Sequence, residues 1–133
     1  MRPLLDTHVW LWWLTSAGGL AGPERRALDE FASDERPFLS AISLWEAQML
    51  VAKRRFMPPG AFEPWLRLAA APETVSLLPL DIEVVLELDR LPARFQGDPA
   101  DRLIVATARA HGLPLATRDR GIRRSRAVRL WRP

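Results

Sequence analysis

Short unbroken apolar runs alternate along this chain with longer stretches in which apolar residues recur every three or four positions. The first pattern predicts buried strands and the second predicts helices with one face on a core. Pro3-Leu4-Leu5 leads into Asp6 and predicts a strand over 3–6. Val9, Trp10, Trp13 and Leu14 then predict a helix over about 7–16, which Gly18-Gly19 breaks. Pro23 opens a second helix reaching about Ala32, with Glu24 at its positive end. A strand is expected at 37–40, a strongly apolar helix at 42–53, a hard stop at Met57-Pro58-Pro59-Gly60, and a helix over about 61–70.

The second half repeats the alternation. A strand is expected at 75–80, a helix capped by Asp81 at 82–90, and a loop at 91–97. Asp98-Pro99 starts the next helix and Gly112 ends it. Leu113–Thr117 and Val128–Trp131 read as the last strands. Strands alternating with helices imply an α/β fold, a doubly wound parallel sheet with helices on both faces. Residues 1–133 read as one domain, long enough to bury a core. Trp10, Trp13 and Trp45 are expected in that core, with Trp12 and Trp65 partly exposed and open to a dimer or partner surface.

Open sheets of this kind bind ligands outside the carboxyl ends of their strands. Asp6 and the strand leading to Asp119 both end there. Glu46 shares a helix face with Ile42, Met49 and Leu50, and Asp101 shares one with Val105 and Ala108. Each acid also has a plainer role. Asp6 can cap the helix at Thr7, Asp119 can serve a turn, and Asp98 needs no role beyond capping, while Ser40 suits the cap of Glu46's helix. The argument is joint: the topology can bring Asp6, Glu46, Asp101 and Asp119 to one edge. Clustered carboxylates repel and call for a divalent cation, and a hard cation in an oxygen cage suits phosphate chemistry.

Other chemistry is thin. The chain has no cysteine, which excludes disulfides and thiolate metal sites and suits a cytoplasmic protein. His8 and His111 are the only histidines, too few for a zinc site, and His8 reads as a packed or surface residue beside Asp6. No glycine-rich phosphate loop or serine-hydrolase elbow occurs. No apolar run approaches a membrane span. Thr7, Ser43 and Thr117 put hydroxyls near the acids. Lys53 is the only lysine, and seven arginines but one acid lie between Arg118 and Arg132. Arginine grips phosphate in a fork and stacks on bases, so this segment suits a nucleic acid; a solvated terminal segment is the plain alternative.

These residues resemble a known family. Leu4-Leu5-Asp6-Thr7-His8-Val9-Trp10-Leu11-Trp12 and Ser40-Ala41-Ile42-Ser43-Leu44-Trp45-Glu46 are similar to motifs of PIN-domain proteins of the VapC toxin type. Asp98-Pro99-Ala100-Asp101 through Ala108 and Leu115-Ala116-Thr117-Arg118-Asp119 complete the set in order. The resemblance implies an Mg²⁺- or Mn²⁺-dependent ribonuclease, a homodimer, and a cognate antitoxin whose C-terminal segment covers the site. It assigns Asp6, Glu46, Asp101 and Asp119 as acidic ligands, with Asp98 as an outer contributor. The hydroxyls of Thr7, Ser43 and Thr117 are candidates to support them, and Arg102, Arg118 and Arg120, which flank the acids in sequence, are candidate RNA contacts. Gln96-Gly97 departs from the histidine-arginine pair often found there in this subgroup. The rival readings are a non-catalytic RNA- or protein-binding module, a metal-dependent phosphatase, and a DNA nuclease. A phosphatase usually has paired acids after the first strand or a late lysine. Thr7 and Arg118 stand there instead.

Overall fold

In the computed structural model, which describes residues 1–15, 18–93 and 95–133, the first strand lies inside the sheet. The strands are β1 (Leu4–Leu5), β2 (Phe38–Ser40), β3 (Ser76–Leu78) and β4 (Leu115–Ala116). They pair in the order β3-β2-β1-β4, all parallel, as the alternation implied. The helices are α1 (Thr7–Leu14), α2 (Gly22–Asp29), α3 (Ile42–Ala52), α4 (Phe62–Ala69), α5 (Ile82–Asp89), α6 (Pro99–His111) and α7 (Arg120–Ser125).

The two-residue period of a strand sorts these helices into two layers. Leu5, Leu39 and Ala116 point to one face, where Trp10 and Trp13 of α1, Leu28 of α2, Ala47 and Leu50 of α3, and Trp65 and Ala69 of α4 form one core cluster. Leu4 and Leu115 point to the other and meet Ile104, Val105 and Ala108 of α6 and Ile122 of α7, with Leu88 of α5 packed alongside. The buried indole of Trp10 is satisfied by the Ala69 carbonyl at 2.9 Å. A doubly wound sheet therefore sends every strand's carboxyl end to the same edge.

Several expectations need correction. Helix α1 ends at Leu14, and Ser16 of the expected span lies outside the described residues, as does Arg94 of the expected 91–97 loop. Helix α2 ends at Asp29 rather than near Ala32. Strand β3 stops at Leu78, before Pro79, which has no N–H for the ladder. The segment expected as a strand at 128–131 makes only one bridge, Leu130 to Leu115, flanked by Leu115 N to Arg129 O and Trp131 N to Leu115 O. β4 is two residues long and offers no more ladder than that. Helix α7 was not expected, because it has one apolar residue, Ile122, and so no periodicity to read.

The tryptophans also divide differently. Trp45 is 51 % exposed, whereas Trp65 is buried among Trp10, Phe56 and Phe62. Trp12 is half-buried, as expected. Helix α3 turns Ala47 and Leu50 inward, and that places Trp45 on its outer side. Gly112 ends α6 in the left-handed region at φ 63°, and Asp81 caps α5 through Val84 N at 3.1 Å. Ser40 Oγ accepts from Ile42 N at 3.2 Å, although the cap position itself falls on Ala41.

Candidate active site

Asp6 follows β1 directly and is 4 % exposed, so both of its oxygens need partners. Oδ1 accepts from Thr7 N at 2.8 Å and thereby caps α1. Oδ2 accepts from the Thr117 hydroxyl at 2.7 Å, just past β4. The capping role and the placement at the sheet edge are thus held by the same side chain. Thr117 Oγ1 also accepts from Asp119 N at 3.0 Å, while Asp119 Oδ1 accepts from Ile122 N at 2.8 Å and caps α7. One threonine therefore joins the ends of two adjacent strands and sets the start of α7.

Glu46 lies on the inner face of α3, 6 % exposed, and its Oε1 has no hydrogen-bond partner. An orphaned carboxylate oxygen is costly to bury, so this atom is where a bound cation would be most stabilising. Burial raises the Glu46 carboxyl above the usual range, Thr7 opposes the rise, and Asp6 and Asp98 add to it. The Thr7 and Ser43 hydroxyls are 2.8 Å apart and link α1 to α3 beneath the acids. Burial likewise raises Asp6, opposed first by Thr117 and then by the charge of His8, with Asp119 adding a smaller rise.

Asp101 stands in the first turn of α6, its N–H held by Asp98 Oδ1 at 2.8 Å. It is pushed up to about 7, first by burial and then by repulsion from Asp98, Asp6, Asp119 and Glu46. Every other acid of the predicted set thus acts electrostatically on Asp101. Asp98, Asp101 and Asp119 line a cleft of about 560 Å³ with Phe95, Gly97 and Arg124. As placed, however, no three His, Asp or Glu side chains among the described residues converge on one coordination point. The donors are all oxygen and include an orphaned, buried one, chemistry that suits a hard divalent cation.

The candidate RNA contacts separate. Arg120 is exposed at the start of α7. Arg118 is paired with Glu24 of α2 at 2.6 Å. Arg102 Nη1 reaches the Phe95 carbonyl at 3.4 Å and so braces the loop before α6. His8, expected as a packed or surface residue beside Asp6, is exposed, packs tilted against Trp12 and lies close enough to lower both Asp6 and Glu46. One feature was missed by sequence reasoning: Gly97 has no room for a side chain, since a Cβ there would stand 2.9 Å from Asp101 Cβ and 3.0 Å from the Phe95 ring.

Comparison with known proteins gives a consistent result. The PIN domain family pattern matches residues 4–127. The chain is 38 % identical over 132 residues to Ribonuclease VapC22 of Mycobacterium tuberculosis (strain ATCC 25618 / H37Rv), covering 96 % of this chain and 97 % of that one. Among solved structures it is similar to FitAcB from Neisseria gonorrhoeae, at TM-score 0.70 and 26 % identity over 99 % of this chain and 98 % of that one. It also shares the fold of VapBC2 from Rickettsia felis, bound to a DNA fragment from its promoter, at TM-score 0.72 and 16 % identity over 98 % of each chain.

Proposed function

The chain belongs to the PIN-domain family, and on that premise we propose that it is a metal-dependent endoribonuclease acting as the toxin of a toxin–antitoxin pair. The observation that carries this reading is Asp101. Its carboxyl is raised to about 7 chiefly by burial, with Asp98, Asp6, Asp119 and Glu46 adding to the rise. A site that crowds acids in this way is relieved by a divalent cation. Asp6, Glu46, Asp101 and Asp119 would hold Mg²⁺ or Mn²⁺. The bound ion supplies Lewis acidity at a phosphoryl oxygen and lowers the pKa of water.

The chain's own groups prepare that site. Thr7 and Thr117 fix Asp6, so the ligand at the sheet edge is set before any ion arrives. Asp98 holds the first turn of α6 and so orients Asp101. Ser43 and Thr7 brace α3 against α1 and keep Glu46 facing inward. Arg124 lines the cleft, where a guanidinium would neutralise a phosphate that the acids alone would repel. No helix among the described residues is long and apolar enough to cross a membrane.

Two surfaces support protein partners. Ile82, Val85 and Leu86 are exposed on helix α5, shortly after exposed Leu80, and such an apolar surface supports a homodimer. A groove lined by Leu44, Phe62, Leu66 and Ala70, beside exposed Trp45, supports a cognate antitoxin. The resemblance of the sequence motifs to the VapC toxin type supports that second partner.

The test is incubation of the purified chain with total RNA and tRNA in Mn²⁺, Mg²⁺ or EDTA, beside Asp101→Asn. The expected result is cleavage that needs metal and disappears in the variant. RNA that stays intact with well-folded wild-type protein would favour a non-catalytic binding module.

A further inference from the structure

Helix α7 divides two clefts. Its Asp119, Gly121 and Arg124 side lines the acidic cleft, whereas Arg123 lines a second cleft of about 280 Å³ on the far side of Thr117. That second cleft is walled by Glu24, Thr117, Arg118, Arg123, Trp131 and Arg132. Thr117 links the two: its hydroxyl accepts from Asp119 N at 3.0 Å, and its carbonyl accepts from Arg123 Nη1 at 3.1 Å. Arg118 lines the second cleft and Asp119 the acidic one, so the two clefts meet at adjacent residues just past β4.

Among the side chains of the second cleft, arginine outnumbers acid: Arg118, Arg123 and Arg132 stand against Glu24, which is already paired with Arg118. Arg123 and Arg132 are exposed, and among the described residues neither forms an ion pair with an acid. Trp131 lines the same cleft, half-buried against the core beneath it. Guanidinium groups beside an aromatic ring are the two contacts a single-stranded nucleic acid uses, for phosphate and for base. A polyanion approaching four carboxylates also needs positive charge nearby to be held at all.

We propose that this cleft is a second RNA-binding site, which takes the backbone and a base of the same strand a short distance from the acidic cleft. Arg123 and Arg132 grip phosphate, Trp131 offers a stacking surface, and α7 forms the divide over which the strand passes. The proposal rests on the ribonuclease reading for the identity of the polyanion.

Its test is the salt dependence of binding, read with a fluorescein-labelled oligouridylate in EDTA on the full chain carrying Asp101→Asn, so that nothing is cleaved. Arg132→Ala and Arg123→Ala are added singly and together, and Arg55→Ala, an exposed arginine after α3, removes the same charge elsewhere. Arg132 makes no hydrogen bond among the described residues, so its loss leaves the fold intact even where Arg123→Ala disturbs Thr117. The slope of log affinity against log salt should fall by about 0.7 for each arginine lost from the cleft and stay unchanged for Arg55→Ala. Cleft variants that behave like Arg55→Ala, while wild type still cleaves RNA with Mn²⁺, would overturn this site and leave the ribonuclease reading standing. A wild type that never cleaves, but whose binding slope falls in the cleft variants, would do the reverse. Polyglutamate that competes as well as unlabelled oligouridylate would assign the cleft to acidic peptides and overturn its role with RNA.

Discussion

The Thr117 hydroxyl donates to Asp6 Oδ2 at 2.7 Å, across 111 residues of sequence. The bond closes the gap between the ends of β1 and β4 and stabilises the ionised form of a carboxyl that burial otherwise raises. Thr117→Val should leave Asp6 Oδ2 buried without its donor. We expect a loss of about 1–3 kcal/mol in urea denaturation, together with a fall in RNA cleavage. Thr117→Ser, which keeps the hydroxyl, should restore most of both. A valine variant as active and as stable as wild type would show that the bond does not position Asp6.

The acids should make the metal-free protein pH-sensitive in a set direction. Asp6, Glu46 and Asp101 are all raised on folding, so the folded chain binds protons more tightly than the unfolded one. Their contribution favours folding below the unfolded value of 3.8 for Asp101 and is lost as pH rises through about 7. In EDTA the urea midpoint should therefore decline between about pH 5 and 7.5, while Mn²⁺ should flatten the decline. Asp101→Asn should flatten it without metal. A midpoint that rises over this range in EDTA would reverse the assignment.

Glu46 gives a sharper form of the same conflict. Its Oε1 is buried with no partner, so the residue costs stability that a plain core side chain would not. Glu46→Gln removes the charge and keeps the shape. The expected outcome is a higher melting temperature in EDTA and a large loss of metal-dependent cleavage. Stability gained where activity is lost marks a residue kept for its chemistry. Equal melting temperatures, with cleavage retained, would make Glu46 an ordinary member of α3.

The parts legible in the sequence were those with strong periodicity or strong punctuation. Asp98-Pro99 and Gly112 marked both ends of α6, and the apolar runs at Leu4-Leu5 and Phe38-Leu39 marked central strands. The acids could be gathered because a doubly wound sheet sends its strand ends to one edge. Helix α7 was not legible, since a six-residue helix with one buried side chain is defined by its cap, Asp119, rather than by a pattern. Trp45 and Trp65 were exchanged because their burial depends on which face α3 and α4 turn to the sheet, a tertiary fact. The tight approach of Gly97 to Asp101 had no local signal either.

That approach yields its own prediction. Alanine at position 97 would bring Cβ to 2.9 Å from Asp101 Cβ and 3.0 Å from the Phe95 ring. Phe95 is locked in the core with Ile104, so the start of α6 must give way. Gly97→Ala should cost about 1–3 kcal/mol by overpacking. A displacement near 1 Å at Asp101 would cut cleavage on the order of 100-fold. Gly22→Ala, which meets only the flexible end of Arg26, serves as the control. Unchanged cleavage in Gly97→Ala would mean that Phe95 moves and Asp101 does not.

The exposed apolar patch makes the last prediction. Ile82 is 75 % exposed and Val85 53 %, one helical turn apart on α5, the helix that follows the edge strand β3. A parallel sheet normally hides both its faces and its edges, so an exposed apolar helix after the edge strand suits a second copy of the chain. Val85→Lys places a charge on this surface without touching either core cluster. Sedimentation should show a dimer for wild type and a monomer for the variant, with circular dichroism unchanged. If both sediment as the same species, the homodimer either forms elsewhere or does not form, and the patch is left for another protein.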